Sequence, residues 1–150
     1  MKTIFITGSS SGIGYETAKL FSRNGWKVIA TMRNIAKGEE LGKLPNVEIV
    51  ELDVSNHERI KSVVADVLAK HDVDVVLNNA GYGLMAPLEV PTEEQIKKVF
   101  ETDVFGTLYV NQEFIPHFKK RRKGMIMATT SLAAIIGLPR DGVYGAAKRA

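Results

Sequence analysis

The chain has 150 residues, 45% hydrophobic and 25% charged, with no cysteine and a formal net charge of +3. That length suits one domain with a real core, and the composition excludes a collagenous, coiled-coil or disordered chain. Without cysteine there is no disulfide scaffold, thiol redox chemistry or thiolate zinc site, so no metal centre is expected and a reducing compartment fits.

The amino-terminal run Met1-Lys2-Thr3-Ile4-Phe5-Ile6 turns polar at Thr7-Gly8-Ser9, too soon for a secretory leader. Nowhere does an apolar run approach the ~18–20 residues of a membrane span, so a cytoplasmic protein without a span is expected. Residues 3–7, 28–31, 47–52, 73–77 and 125–129 are short β-branched runs. Each is largely continuous in apolar residues, as strands covered on both faces are.

Helical patterns fill the gaps. Residues 12–24 carry Ile13, Thr17, Leu20 and Phe21 at helical spacing and end in the stop signal Asn24-Gly25. Residues 37–44 are short and ambiguous. Ser55-Asn56-His57-Glu58 reads as a capping box ahead of Ile60, Val63, Val64, Val67 and Leu68. Thr92-Glu93-Glu94-Gln95 is a second, opening a long helical region to about Phe118. The basic run Lys119-Lys120-Arg121-Arg122-Lys123 follows, and these five charges outweigh the whole net +3. It reads as a solvated loop after a helix; no aromatic residue interleaves to stack on bases, so nucleic acid is not an expected partner. Strands alternating with helices imply right-handed crossovers and one α/β domain over residues 1–150, a Rossmann-like, doubly wound parallel sheet.

In such sheets ligands bind beyond the carboxyl ends of the strands, so the residues after each strand carry the functional information. After the first stands Thr7-Gly8-Ser9-Ser10-Ser11-Gly12-Ile13-Gly14, opening directly into a helix. Glycines let the backbone turn and approach a phosphate, while free N–H groups and the helix dipole hold the anion. The spacing departs from the G-x-G-x-x-G fingerprint, yet the placement points to dinucleotide binding by Gly8, Ser10, Ser11, Gly12, Ile13 and Gly14.

At the end of the second strand, Thr31-Met32-Arg33 offers no acid for a ribose diol. Arg33 can instead pair with a 2′-phosphate, which favours NADP over NAD; a plain surface arginine is the alternative. After the third strand, the Asp53 carboxylate of Asp53-Val54 can accept from an adenine amino group, or serve as a helix cap. The fourth strand ends in Asn78-Asn79-Ala80-Gly81, two amides that are costly to bury unbonded and a glycine that leaves room for a ligand.

The fifth strand ends in Thr130-Ser131, and Tyr144 and Lys148 follow in Tyr144-Gly145-Ala146-Ala147-Lys148. On a helix these two share a face at i, i+4. An ammonium one turn away favours the phenolate, which makes a tyrosine a usable general acid or base. Ser131 can hydrogen-bond a substrate carbonyl or its alkoxide.

Taken together, Thr7-Gly8-x-x-x-Gly12-Ile13-Gly14, Asp53-Val54, Asn78-Asn79-Ala80-Gly81, Ser131 and Tyr144-x-x-x-Lys148 resemble the short-chain dehydrogenase/reductase family in motif and in order, from residue 3 to residue 150. The resemblance implies strand order 3-2-1-4-5 and an NAD(P)-dependent oxidoreductase interconverting an alcohol and a carbonyl on a small-molecule substrate. It implies that Tyr144 moves the hydroxyl proton, Lys148 supports it and holds the nicotinamide ribose, Ser131 orients the substrate oxygen, and Asn79 to Gly81 line the adenosine side. Gly81-Tyr82-Gly83-Leu84 and Phe105-Gly106-Thr107-Leu108 are similar to retinol- and steroid-type reductases of the family.

Two departures stand out. Asp103, in Thr102-Asp103-Val104-Phe105-Gly106, occupies a position where the family usually has asparagine in a proton relay to the lysine. A carboxylate there adds negative charge near Lys148 and is expected to shift the pH optimum, unless the relay uses only the backbone carbonyl. The family pattern also continues beyond the lysine, which implies that residues 1–150 are an incomplete catalytic domain with an open edge at the fifth strand, inviting homo-oligomerisation. A cofactor-binding module without turnover, and an inactive fragment associating through that edge, are the alternative readings.

Overall fold

In the computed structural model, which describes residues 1–150, five strands form one parallel sheet in the order β3-β2-β1-β4-β5. These are β1 (Thr3–Ile6), β2 (Lys27–Met32), β3 (Val47–Glu51), β4 (Val75–Asn78) and β5 (Met125–Ala128). The helices are α1 (Gly12–Arg23), α2 (Glu39–Gly42), α3 (His57–Lys70), α4 (Glu93–Phe100), α5 (Gly106–Arg121) and α6 (Gly142–Arg149). Chain order leaves β1 in one direction through β2 and β3, then crosses to its other side for β4 and β5. That reversal places a crevice beyond the carboxyl ends of β1 and β4.

Alternation along the strands feeds two separate cores. Phe5, Ile29 and Val76 face α3 and α5, packing with Ile60, Val64, Val110 and Phe114. Ile4, Ile6, Val28 and Ala30 face the opposite layer with Ala18 and Leu41. The rings of Phe5 and Phe114 lie 4.9 Å apart, within the range of favourable aromatic pairs. A strand buried on both faces is the physical reason β1 lacks any polar/apolar alternation.

The outer strands depart from that pattern. β5 is exposed at all four positions and pairs with β4, which corrects the expectation of a strand covered on both faces. β3, the other outer strand, is half-buried over Val47–Val50 and exposed at Glu51. The Lys27 and His71 side chains both reach Glu48, at 3.0 Å each.

Local signals held unevenly. Gly25 adopts φ +76° just past α1, as the Asn24-Gly25 stop requires. The Thr92–Gln95 capping box forms with both reciprocal bonds. The expected box at Ser55 does not. The Asp53 carboxylate captures both the N–H and the O–H of Ser55, so Asn56 becomes the cap of α3 and accepts from the Arg59 N–H. The ambiguous segment resolves into a 3-10 turn, Ile35–Gly38, running into the single turn α2. The long helical region is interrupted by a π-helical turn over Glu101–Phe105, between α4 and α5.

The basic run is not wholly a solvated loop. Lys119, Lys120 and Arg121 form the last turn of α5, and Arg122 ends it at φ +52°. Arg121 and Lys123 both bind the carboxylate of Asp74, at 3.2 and 3.3 Å, below the amino end of the sheet. Burial pushes that carboxyl up, but the Thr3 N–H, Lys123 and Arg121 together hold it below the ordinary carboxylate value. Two of the five cations thus clamp α5 to β4. No helix is long and apolar enough to cross a membrane.

Candidate active site

A cleft of about 450 Å³ opens beyond the carboxyl ends of the strands. Its first wall is the turn between β1 and α1, where Gly8, Ser10, Ser11 and Ile13 line it. Gly8 sits at φ +69°, and a Cβ there would lie 2.7 Å from the Ala80 backbone, so only glycine lets this turn meet the end of β4. No side chain caps the first turn of α1, which leaves its N–H groups and positive dipole end for an anion. Gly12 and Gly14 lie outside the lining. Gly12 sets the turn at φ +59°, and Gly14 lets α1 approach the Gly8 carbonyl and the Asn79 amide.

Arg33 lines the cleft from the end of β2, and Asp53 and Val54 from the end of β3. One Asp53 oxygen is already engaged by Ser55. Asn79, Ala80 and Gly81 line the floor. The Asn79 side chain donates to the carbonyls of Thr7 and Gly8, at 3.1 and 3.0 Å, and accepts from Thr129. Thr7 returns the bond, its hydroxyl oxygen accepting from the N–H groups of Asn79 and Ala80. Asn79 and Thr7 therefore hold the glycine turn in shape. Asn78 is buried beneath, donating to Asn111 and Met127.

Tyr144 and Lys148 line the other end, one turn apart on α6. The Lys148 ammonium lies 5.6 Å from the centre of the Tyr144 ring and donates to the Thr129 carbonyl at 3.2 Å. Ser131 caps the 3-10 turn Leu132–Ala134, its Oγ accepting from the Ala133 N–H, and its own hydrogen remains free to donate. It stands at the end of β5 and does not line the cleft.

Asp103 lies behind Lys148, in the π-helical turn, with no exposed side-chain surface. One carboxylate oxygen accepts from the Tyr82 N–H at 3.0 Å; the other is 3.5 Å from Lys148 Nζ and has no hydrogen-bond partner. Burial raises this carboxyl above its ordinary value, against the opposing pull of the Tyr82 N–H and the Lys148 ammonium. A second cavity of about 170 Å³ opens beside it, lined by Asn78, Thr107, Thr130 and Lys148 among others.

Met32, Leu52, Tyr82, Gly83, Thr102 and Thr129 also line the main cleft and were not singled out by motif reasoning. Most flank a named strand-end residue, so extending each motif by one or two positions would have found them. Tyr82 is the informative addition. Burial, then the Asp103 charge, raises its phenol, which lies in the same cleft as Arg33.

A family model described as short chain dehydrogenase matches residues 2–150. The chain belongs to the short chain dehydrogenase family. It is 34% identical over 146 residues to 3-ketodihydrosphingosine reductase of Bacteroides thetaiotaomicron, covering 97% of this chain and 52% of the relative. To retinol dehydrogenase 8 of Bos taurus it is 34% identical, covering 98% of this chain and 50% of that one. A short-chain dehydrogenase from Streptomyces avermitilis superposes with a TM-score of 0.95 at 32% identity, over 99% of this chain and 56% of that structure. The closed form of serine dehydrogenase complexed with NADP+ gives 0.93 at 31%, over 98% and 61%. The chain spans about half the length of the curated relatives it matches.

Proposed function

We propose that these residues form the dinucleotide site and the proton-transfer pair of an NADP(H)-dependent oxidoreductase that interconverts a carbonyl and an alcohol. The observation that carries this is the convergence, in one cleft, of an uncapped helix end behind a glycine turn, Arg33, and Tyr144 with Lys148. The solved short-chain dehydrogenases bound to NADP support a nicotinamide dinucleotide as the family's cofactor. The turn fits such a group, because its helix end offers an anion site and Asn79 fixes its shape.

When bound, the nicotinamide dinucleotide supplies or accepts a hydride, the chemistry the protein cannot perform alone. In this reading the amino end of α1 would hold the pyrophosphate, Asp53 would meet the adenine, and Arg33 would pair with a 2′-phosphate. Lys148 holds the nicotinamide ribose. Tyr144 would donate its phenolic proton to the substrate oxygen, and Ser131 would hydrogen-bond that oxygen. The phenolate is then reprotonated from solvent. In the reverse direction Tyr144 acts as base. The reading carries a cytoplasmic location and a homo-oligomer as companion proposals.

Replacing Arg33 by Ala is expected to weaken NADPH binding by about 10- to 100-fold, the loss of one charged bidentate pair, with NADH nearly unchanged. Fluorescence titration of both dinucleotides checks this. Equal weakening of the two would remove Arg33 from its role.

A further inference from the structure

Tyr82 lines the cleft yet takes no part in proton transfer or in the cofactor contacts assigned to Arg33, Asp53 and Lys148. It stands between Gly81 and Gly83, and all three line the cleft, so this stretch offers a ligand one side chain only. Glycine is needed at 81, where a Cβ would lie 3.1 Å from Asp103 Oδ2. At Gly83 a Cβ would be in van der Waals contact with the Tyr144 ring, at 4.0 Å. The segment therefore runs close to both the buried carboxylate and the phenol of α6.

Asp103 fixes where Tyr82 starts. Its Oδ1 accepts from the Tyr82 N–H at 3.0 Å, its Oδ2 lies 3.5 Å from Lys148 Nζ, and its side chain has no exposed surface. One buried group thus ties the Tyr82 backbone to the Lys148 end of the cleft. The phenol answers to the opposite end as well. Burial first, then the Asp103 charge, raises it against the pull of the Arg33 guanidinium, so it keeps its proton at neutral pH. Tyr82 bonds within the chain through its N–H, and its hydroxyl makes no hydrogen bond there. A neutral donor stands uncommitted in a cleft with a cation at each end.

We propose that Tyr82 is a dinucleotide-positioning residue: its hydroxyl donates to an oxygen in the part that NADP and NAD share, between Arg33 and Lys148, and Asp103 holds the ring in place through the Tyr82 N–H. This rests on the reading of the cleft as the dinucleotide site. A ligand running from Arg33 to Lys148 passes the phenol with phosphate and ribose oxygens, which are acceptors, and a neutral phenol has a proton to give. The Asp103 carboxylate then serves two ends at once, facing the lysine with one oxygen and fixing Tyr82 with the other.

The test is fluorescence titration of the protein and its variants with NADPH and NADH, beside thermal melts. Tyr82→Phe is expected to raise both Kd values by about tenfold, the loss of one hydrogen bond to the ligand, with the melting temperature unmoved. Arg33→Ala, by contrast, costs NADPH alone. In an Asp103→Asn background, where the amide oxygen still accepts from the Tyr82 N–H, the tenfold cost of Tyr82→Phe remains. In Asp103→Ala it falls below about twofold, because the ring is no longer held. Repeating the Tyr82→Phe comparison with ADP places the oxygen: a cost that persists puts it on the adenosine diphosphate, one that vanishes puts it on the nicotinamide ribose, and either fits. Unchanged Kd values in Tyr82→Phe overturn the inference and leave the dinucleotide reading standing, as does a loss confined to NADPH. An undiminished cost in Asp103→Ala overturns the anchoring by Asp103. Failure of the unaltered protein to bind either dinucleotide overturns the inference and that reading together.

Discussion

Replacing Tyr144 by Phe lowers kcat by about a thousandfold and leaves the Kd for NADPH within about twofold, as expected when one positioned proton donor is lost and nothing else moves. The substitution removes a single oxygen from a ring that lies beneath the Lys148 ammonium, so the phenyl ring keeps its place. Loss appears in kcat rather than KM, because the proton is given in the transition state and the ground-state contacts are unchanged. Steady-state kinetics beside dinucleotide titration separates the two quantities. Turnover equal to that of the unaltered protein would remove Tyr144 from the chemistry and leave a binding module.

Removal of the Lys148 ammonium is expected to act on stability as well as on rate. In Lys148→Met, the Asp103 carboxylate loses its only nearby cation while its side chain stays fully buried. Leaving such a charge unpaired costs about 3 kcal/mol, and turnover falls by about 100-fold or more as the phenol loses the ammonium's field. The pH dependence has a definite sign. Burial raises the Asp103 carboxyl above its ordinary value, so the folded protein holds that proton more tightly than the unfolded chain. The favourable contribution is complete below the unfolded value and is lost as pH rises through the folded one. The titratable groups facing Asp103 are Lys148 from α6 and Tyr82 from the loop after β4.

The deficit of Lys148→Met therefore shrinks in acid, where a neutral carboxyl needs no counter-charge, and is largest at neutral and alkaline pH. Thermal melts across pH follow it directly. Adding Asp103→Asn to Lys148→Met restores most of the stability and none of the turnover, since the amide removes the buried charge without replacing the ammonium. A double variant no more stable than the single one would contradict the pairing. Asp103→Asn alone removes the charge that offsets Lys148, so its pH–rate profile separates from that of the unaltered protein; overlapping profiles would show that Asp103 has no part in setting it.

The sheet was legible because β1 and β4 are hydrophobic on both faces, as strands between two helical layers are. The cleft was legible for a related reason. A doubly wound sheet directs attention to the residues after each strand, and Gly8, Arg33, Asp53 and Gly81 all stand there. What escaped the sequence depended on neighbours it does not reveal. β5 carries the same apolar residues as a central strand, so its composition did not show that all four positions are exposed. Ser55 has the right spacing for a cap, but Asp53 competes for both of its donors. Arg121 and Lys123 looked like part of a free basic run because Asp74, their partner, lies 47 and 49 positions earlier.

Asp103 sits between these cases. Its departure from the family's asparagine was visible in sequence, and its nearness to Lys148 was implied by the family resemblance. The π-helical turn that presents it was not expected, since no proline or glycine marks residues 101–105. Tyr82 was noted only as part of a local resemblance. Its backbone N–H, which fixes the Asp103 carboxylate, could be assigned only from the structure.

Hydride transfer itself is the most direct test. The protein is incubated with NADPH deuterated at C4 of the nicotinamide and a medium-chain methyl ketone, and the alcohol is analysed by mass spectrometry and NMR. One deuterium on the carbinol carbon, formed in step with NADP+ and abolished in Tyr144→Phe, is the expected result. A protein that binds NADPH in this cleft yet yields no labelled alcohol, or yields the same amount without the Tyr144 hydroxyl, would contradict it.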